Sequence, residues 1–171
     1  MSKFSVTNNY YLYNLYKDNS LYAIQSKRSG INPGSLLATD TKALMKGAKI
    51  LGDADYGDEE EDKAPDKKRF YKQLKSFADA YNYTMESSTE LGGRANRKIQ
   101  KELAALRDEY ADKLKGYGIT FTDDGYMKLS KANIDEIDKS RYEKFFGKDS
   151  EFTKTISKLA KKMRNHVDYQ I

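Results

Sequence analysis

Three times along the chain, large apolar residues recur at spacings of four, three, four and four. The first set is Phe70, Leu74, Phe77, Tyr81 and Met85; the second is Ile99, Leu103, Leu106, Tyr110 and Leu114; the third is Phe152, Ile156, Leu159, Met163 and Val167. On a helix this spacing gathers each set on one face, with charged residues such as Lys72, Lys75 and Asp79 off the stripe. The expected fold class is therefore mainly α: an antiparallel helical hairpin or bundle of coiled-coil character. Burying each large side chain is worth about 1.5–3 kcal/mol before entropy is charged against it. Two stripes alone make a marginal hairpin, so a third element or a partner is expected to pack on them.

The breaks between stripes organise the rest. Ser87 to Arg94, SSTELGGR, is expected to interrupt the first helix, which starts at Phe70, and the second runs from about Ala95 to Lys115. Gly116-Tyr117-Gly118 stops the second helix. Ile119-Thr120-Phe121 and Tyr126 to Leu129 then alternate around Thr122-Asp123-Asp124-Gly125, which predicts one small β-hairpin near 118–130. Ser130 and Asn133 offer caps for a short helix through Ile134 and Ile137. Tyr142, Phe145 and Phe146 make an aromatic knob closed by Gly147, and Ser150 or Asp149 caps the last helix.

Upstream, the pattern weakens. Residues 53–62, DADYGDEEED, hold seven carboxylates in ten positions and are followed by Pro65, so they read as a solvated connection. The expected division is an N-terminal segment, 1–64, with short helices and this acidic linker, and a helical domain, 65–171. Asp53 and Asp55 do not begin a calcium loop, because its sixth and twelfth positions would be Asp58 and Ala64 rather than Gly and Glu. Before the linker, Thr39 or Asp40 caps a short helix carrying Ala43, Leu44, Ala48 and Leu51, ended by Gly52. Tyr10 to Tyr16, YYLYNLY, and the group Leu21, Tyr22 and Ile24 precede the turn signal Ser29 to Gly34. These read as short pieces laid against the body, with rings buried and hydroxyls wet.

Composition narrows the function classes. There is no cysteine, which excludes a disulfide scaffold, thiolate metal sites and a cysteine nucleophile. His166 is the sole histidine and no motif supplies it with triad partners. Gly92-Gly93 lacks the tail of a phosphate-binding loop. No enzyme, cofactor or metal is expected. Lys and Arg total 31 against 26 Asp and Glu, a net charge of +5, and a third of all residues are charged, which describes a solvated surface. With only 38% hydrophobic residues, 14 tyrosines and no tryptophan, Tyr and Phe must supply much of the apolar area, and an elongated or partnered fold is expected. No apolar run approaches the length of a membrane span. MSKFSVTNNY at the start has no apolar core of a secretory signal.

The order of features from Phe70 onward resembles the helical region of bacterial flagellar filament-capping proteins, the hook-associated family. That family carries an F-[VA]-x-x-[YF]-N helix, then an L-x-x-[LI]-G-I-x-x-x-x-x-G-x-[LM]-x-[LIV] turn, then an [LF]-F-G close. Phe77, Ala78, Tyr81 and Asn82 match the first, Gly118, Ile119, Gly125 and Leu129 the second, and Phe145, Phe146 and Gly147 the third. The likeness covers about 100 residues in order. The chain departs from the family in having no room for its large variable domain, and in carrying Ser130 and Lys131 where an Asp is common.

The resemblance implies a helical stalk that assembles with flagellar-type subunits. It also implies export by a route that reads an uncleaved polar N-terminus, and hence a bacterial flagellar or extracellular location; without it the cytoplasm is expected. The role expected is thus a non-enzymatic structural or interaction protein that associates through its helix seams with itself or with helical partners. Phe70, Leu74, Phe77, Tyr81, Ile99, Leu103, Leu106, Tyr110 and Leu114 form the hairpin seam. Phe152, Ile156, Leu159 and Met163 follow as residues for docking or self-association. The rival reading is a small basic nucleic-acid-binding module using Lys158, Lys161, Lys162 and Arg164 with the N-terminal tyrosines.

Overall fold

Proline at the first position of a helix sacrifices no hydrogen bond, because that N–H has no partner within the helix. Pro33 begins the first long helix in this way. The computed structural model describes residues 28–54, 67–130 and 139–168. Among them are α1 (Pro33–Gly52), α2 (Lys67–Leu91), α3 (Gly93–Lys115), β1 (Ile119–Phe121), β2 (Met127–Leu129), α4 (Lys139–Phe146) and α5 (Glu151–Asp168). The fold is mainly α with one small antiparallel hairpin, as the stripes and turn signals predict. The Tyr10–Tyr16 cluster, the acidic stretch beyond Ala54, and Asn133, Ile134 and Ile137 lie outside the described residues. So do the side chains of His166 and Val167.

The chain divides into two compact units, Met1–Asn32 and Pro33–Ile171. Of the first, the described part is a turn in which the Gly30 and Ile31 N–H groups donate to the Arg28 carbonyl at 3.0 and 3.2 Å. The second unit starts at Pro33 and not at the acidic stretch, because α1 packs with the helices that follow it. Two helix boundaries also differ from expectation. Thr39 and Asp40 lie inside α1 and do not cap it; Thr39 Oγ1 bonds back to the Ser35 carbonyl at 2.9 Å, and Thr41 Oγ1 to that of Leu37 at 2.6 Å. Likewise α2 runs through Ser87 and Ser88 to Leu91, and both hydroxyls donate to carbonyls one turn earlier, at 2.8 Å, so their polar groups are satisfied inside the helix. Only Gly92 breaks the helix.

α2 and α3 fold back on each other around that glycine, with Gln100 Nε2 reaching Thr89 Oγ1 at 3.1 Å near the turn. α5 runs antiparallel to α3: Phe152 and Thr155 meet Tyr110, and Lys162 pairs with Glu102. Helix packing is most extensive for α1 along α2, then for α1 along α5, and is less extensive for α2 on α3. Small residues explain the first two. A Cβ on Gly47 would lie 3.3 Å from the Phe77 Cα, and one on Gly52 would lie 3.2 Å from the Lys148 Cα and the Thr153 methyl, so only hydrogen fits comfortably at either place. The third element that the two stripes call for is therefore supplied within the chain, by α1 and α5.

The hairpin pairs Ile119 with Leu129, Thr120 with Lys128 and Phe121 with Met127. Gly125, at φ +85°, supplies the left-handed residue of its turn, with its N–H donating to the Thr122 carbonyl at 2.9 Å. The turn tip sits between Met85 of α2 and Arg107 of α3. Ser150 caps α5 as predicted, its hydroxyl accepting the Thr153 N–H at 3.1 Å.

Candidate interaction surfaces

Every stripe residue named above as a candidate for partner contact is buried within this one chain: Phe70, Leu74, Phe77, Tyr81, Ile99, Leu103, Leu106, Tyr110, Leu114, Phe152, Ile156, Leu159 and Met163. They form a single apolar core with Leu37, Leu44, Ala48 and Leu51 of α1. The physical reason is that α1 and α5 cover the α2 and α3 faces, so among the described residues these seams are closed within the chain. Docking, if it uses this body, uses its outer surface.

Aromatic rings fill the end of the core where α3, α4 and α5 meet. Tyr117 stacks on Phe145 at 4.7 Å and Phe145 on Phe152 at 4.9 Å, while Phe146 meets Tyr117 edge-on at 5.2 Å. Tyr142 stacks on Phe70 of α2 at 5.6 Å. The knob read from the sequence is thus the joint that fixes α4 against three other elements. Burial raises the phenols of Tyr81, Tyr110, Tyr117 and Tyr142 above the ordinary tyrosine value, Tyr81 to about 12. Tyr117 donates to the Arg141 carbonyl at 3.0 Å, whereas the Tyr142 hydroxyl has no hydrogen-bond partner among the described residues.

Asn82 makes a long-range polar contact beside the core. Its Nδ2 donates to the Met127 carbonyl at 3.0 Å and its Oδ1 accepts the Met127 N–H at 2.7 Å. One side chain of α2 thereby acts as the neighbouring strand that β2 lacks. Beside it, Tyr81 meets Phe121 edge-on at 5.9 Å.

Two of the hollows on the outer surface bear on binding. A cleft of about 740 Å³ lies over the aromatic joint, lined by both signs of charge, including Asp112, Lys113, Arg141 and Glu151. The other is a groove of about 750 Å³ between α1 and α5. Lys42, Lys46 and Lys49, spaced four and three along α1, line it from one side; Lys148, Lys154 and Lys158 line it from the other, and Met45, Gly52, Thr153 and Ser157 lie between. All six lysines are exposed. Lys154 pairs with Asp149 at 3.3 Å; the other five have no ion pair among the described residues. Asp53 is the one carboxylate among the described lining residues.

The basic residues expected to act together at the C-terminal end are split by this geometry. Lys158 borders the groove, whereas Lys162 turns to α3 and binds Glu102. The three α1 lysines were missed by sequence reasoning, although their helical spacing off the Leu44, Ala48 and Leu51 stripe was there to be read. Among the described residues, no helix is long and apolar enough to cross a membrane, and no three His, Asp or Glu side chains gather in a way that could hold a metal ion. Comparison with family models, with curated proteins and with solved structures finds no match.

Proposed function

We propose that the chain is a non-enzymatic interaction protein whose body is built like the helical stalk of flagellar filament-capping proteins, and that it assembles with a helical subunit of flagellar type. One observation carries the reading: the residues on which the resemblance rests are those that join separate elements. Asn82 of the first motif holds Met127 inside the second, through hydrogen bonds spanning 45 positions. Ile119 of the second is fully buried, and the Gly118 carbonyl accepts the Ser130 N–H at 2.8 Å, closing the base of the hairpin. Phe145 and Phe146 of the third make the aromatic joint, and a Cβ on Gly147 would strike the Glu143 carbonyl. The first two motifs are thus tied to each other in space, which makes their joint occurrence more specific than two separate matches.

Since the stripes are used up inside the chain, the association proposed is through the outer faces. The test is sedimentation velocity of the full chain alone and mixed with purified flagellar filament subunits. A complex of defined stoichiometry is expected; a chain that stays monomeric and binds no subunit overturns the reading.

A further inference from the structure

Lysines four apart on a helix repel each other by about 0.2–0.5 kcal/mol per pair. The groove between α1 and α5 contains two such pairs, Lys42 with Lys46 and Lys154 with Lys158, facing across a floor that includes Met45 and the Thr153 methyl. The Thr153 hydroxyl is turned away from that role, donating to the Phe146 carbonyl at 2.8 Å. The lysine stems extend the apolar floor while their ammonium groups stay in water. Positive charge is thus concentrated along both banks of an apolar trough, at a small cost in stability, with Asp53 the single carboxylate among the described lining residues.

We infer that this groove is a docking site for an acidic amphipathic helix of a partner protein, whose apolar stripe rests on the floor and whose carboxylates face the two lysine banks. Charge complementarity identifies the occupant, and the lining decides between polyanions. A single-stranded nucleic acid would need ring faces for its bases to stack on, and among the described residues no aromatic side chain lines the groove. Phosphate recognition at a fixed geometry favours the arginine fork, and no arginine is among the described lining residues either. A helix laid in a groove needs an apolar floor and flanking charge, and this trough has both. Lys42 to Lys49 spans about 10 Å of α1, which is two turns of an apposed helix. The inference rests on the interaction role proposed above, but not on the flagellar identity of the partner.

The test uses the full chain and a fluorescein-labelled synthetic helix with leucine at positions i, i+3, i+4 and i+7 and glutamate on both flanks, followed by anisotropy at low salt. A peptide of the same composition with the leucine stripe scrambled, and a short DNA duplex, are the comparisons. The striped peptide is expected to bind about ten-fold more tightly than the scrambled one and than the duplex. Lys46→Glu with Lys158→Glu is expected to weaken the striped peptide about ten-fold, and Lys161→Glu, on a residue outside the groove lining, to leave it within about two-fold. The milder pair Lys46→Gln and Lys158→Gln covers the case in which the glutamates disturb the fold.

Three results overturn the inference. Equal binding of scrambled and striped peptides would mean that the floor has no role. Tighter binding of the duplex, lost in the same double variant, would make the groove a nucleic-acid site. A dimer of the full chain that the double variant dissociates would make the occupant a second copy. Because the probe is synthetic, failure here is distinct from failure to bind filament subunits.

Discussion

At the scale of single residues, Asn82 shows what a polar side chain in a core can do. Met127 is buried, so its N–H and carbonyl would be costly to leave without partners, and one amide satisfies both. Asn82→Ala removes the two bonds at once and leaves both backbone groups orphaned. The expected loss is about 2–4 kcal/mol of unfolding free energy, read as a lower urea midpoint with an unchanged slope; a loss under about 0.5 kcal/mol would show that water takes over the role. Nothing in the sequence pairs position 82 with position 127, because hydrogen bonds between distant residues leave no local periodicity. Ser150 was legible by contrast, since a cap acts within three residues of itself.

Among elements, α1 is the instructive case. Its apolar face was legible, because Leu44, Ala48 and Leu51 keep the helical spacing. Its starting point was not: Thr39 and Asp40 have the chemistry of caps, and only the packing that extends the helix back to Pro33 turns them into interior residues. Its destination was also hidden. Gly47 reads as a weak point in a helix, yet there α1 approaches α2 closely, with Phe77 directly opposite. Replacing Gly47 with alanine gains helix propensity of up to about 1 kcal/mol while crowding the Phe77 backbone. Gly47→Leu has no such compensation for its size. It is expected to destabilise by about 1–3 kcal/mol in thermal or urea unfolding; a wild-type midpoint for Gly47→Leu would mean that the two helices are free to separate.

For the whole molecule, the buried tyrosines set an alkaline limit. Tyr81 keeps its proton up to about pH 12 when folded, because burial disfavours the phenolate, whereas an unfolded tyrosine loses it near 10.0. Between those values the unfolded chain binds fewer protons than the folded one, so stability falls as pH rises; below 10 this contribution is fully present. Unfolding free energy measured across pH 9 to 12 is expected to decline from about pH 10, with Tyr81→Phe giving a shallower decline. Identical slopes for the two proteins would remove Tyr81 as a cause.

At this scale the sequence showed three amphipathic faces that each need cover, since periodicity reports which face is dry, and left open whether a further element or a partner supplies it. It did not show which helix covers which, because faces of similar hydrophobicity are interchangeable until small residues such as Gly47 and Gly52 select neighbours. The groove lay beyond it for the same reason. Lysine spacing on α1 was visible, but its meeting with Lys154 and Lys158 depends on which two helices become neighbours.

The placement of α1 has one more consequence. The helix that completes the core comes from one side of the acidic stretch, and everything it covers comes from the other. A cut anywhere in that stretch would sever the backbone without removing a single buried leucine from its neighbours. The body is in effect a two-piece object, and its halves have reason to stay together, or to find each other again, with the tether gone.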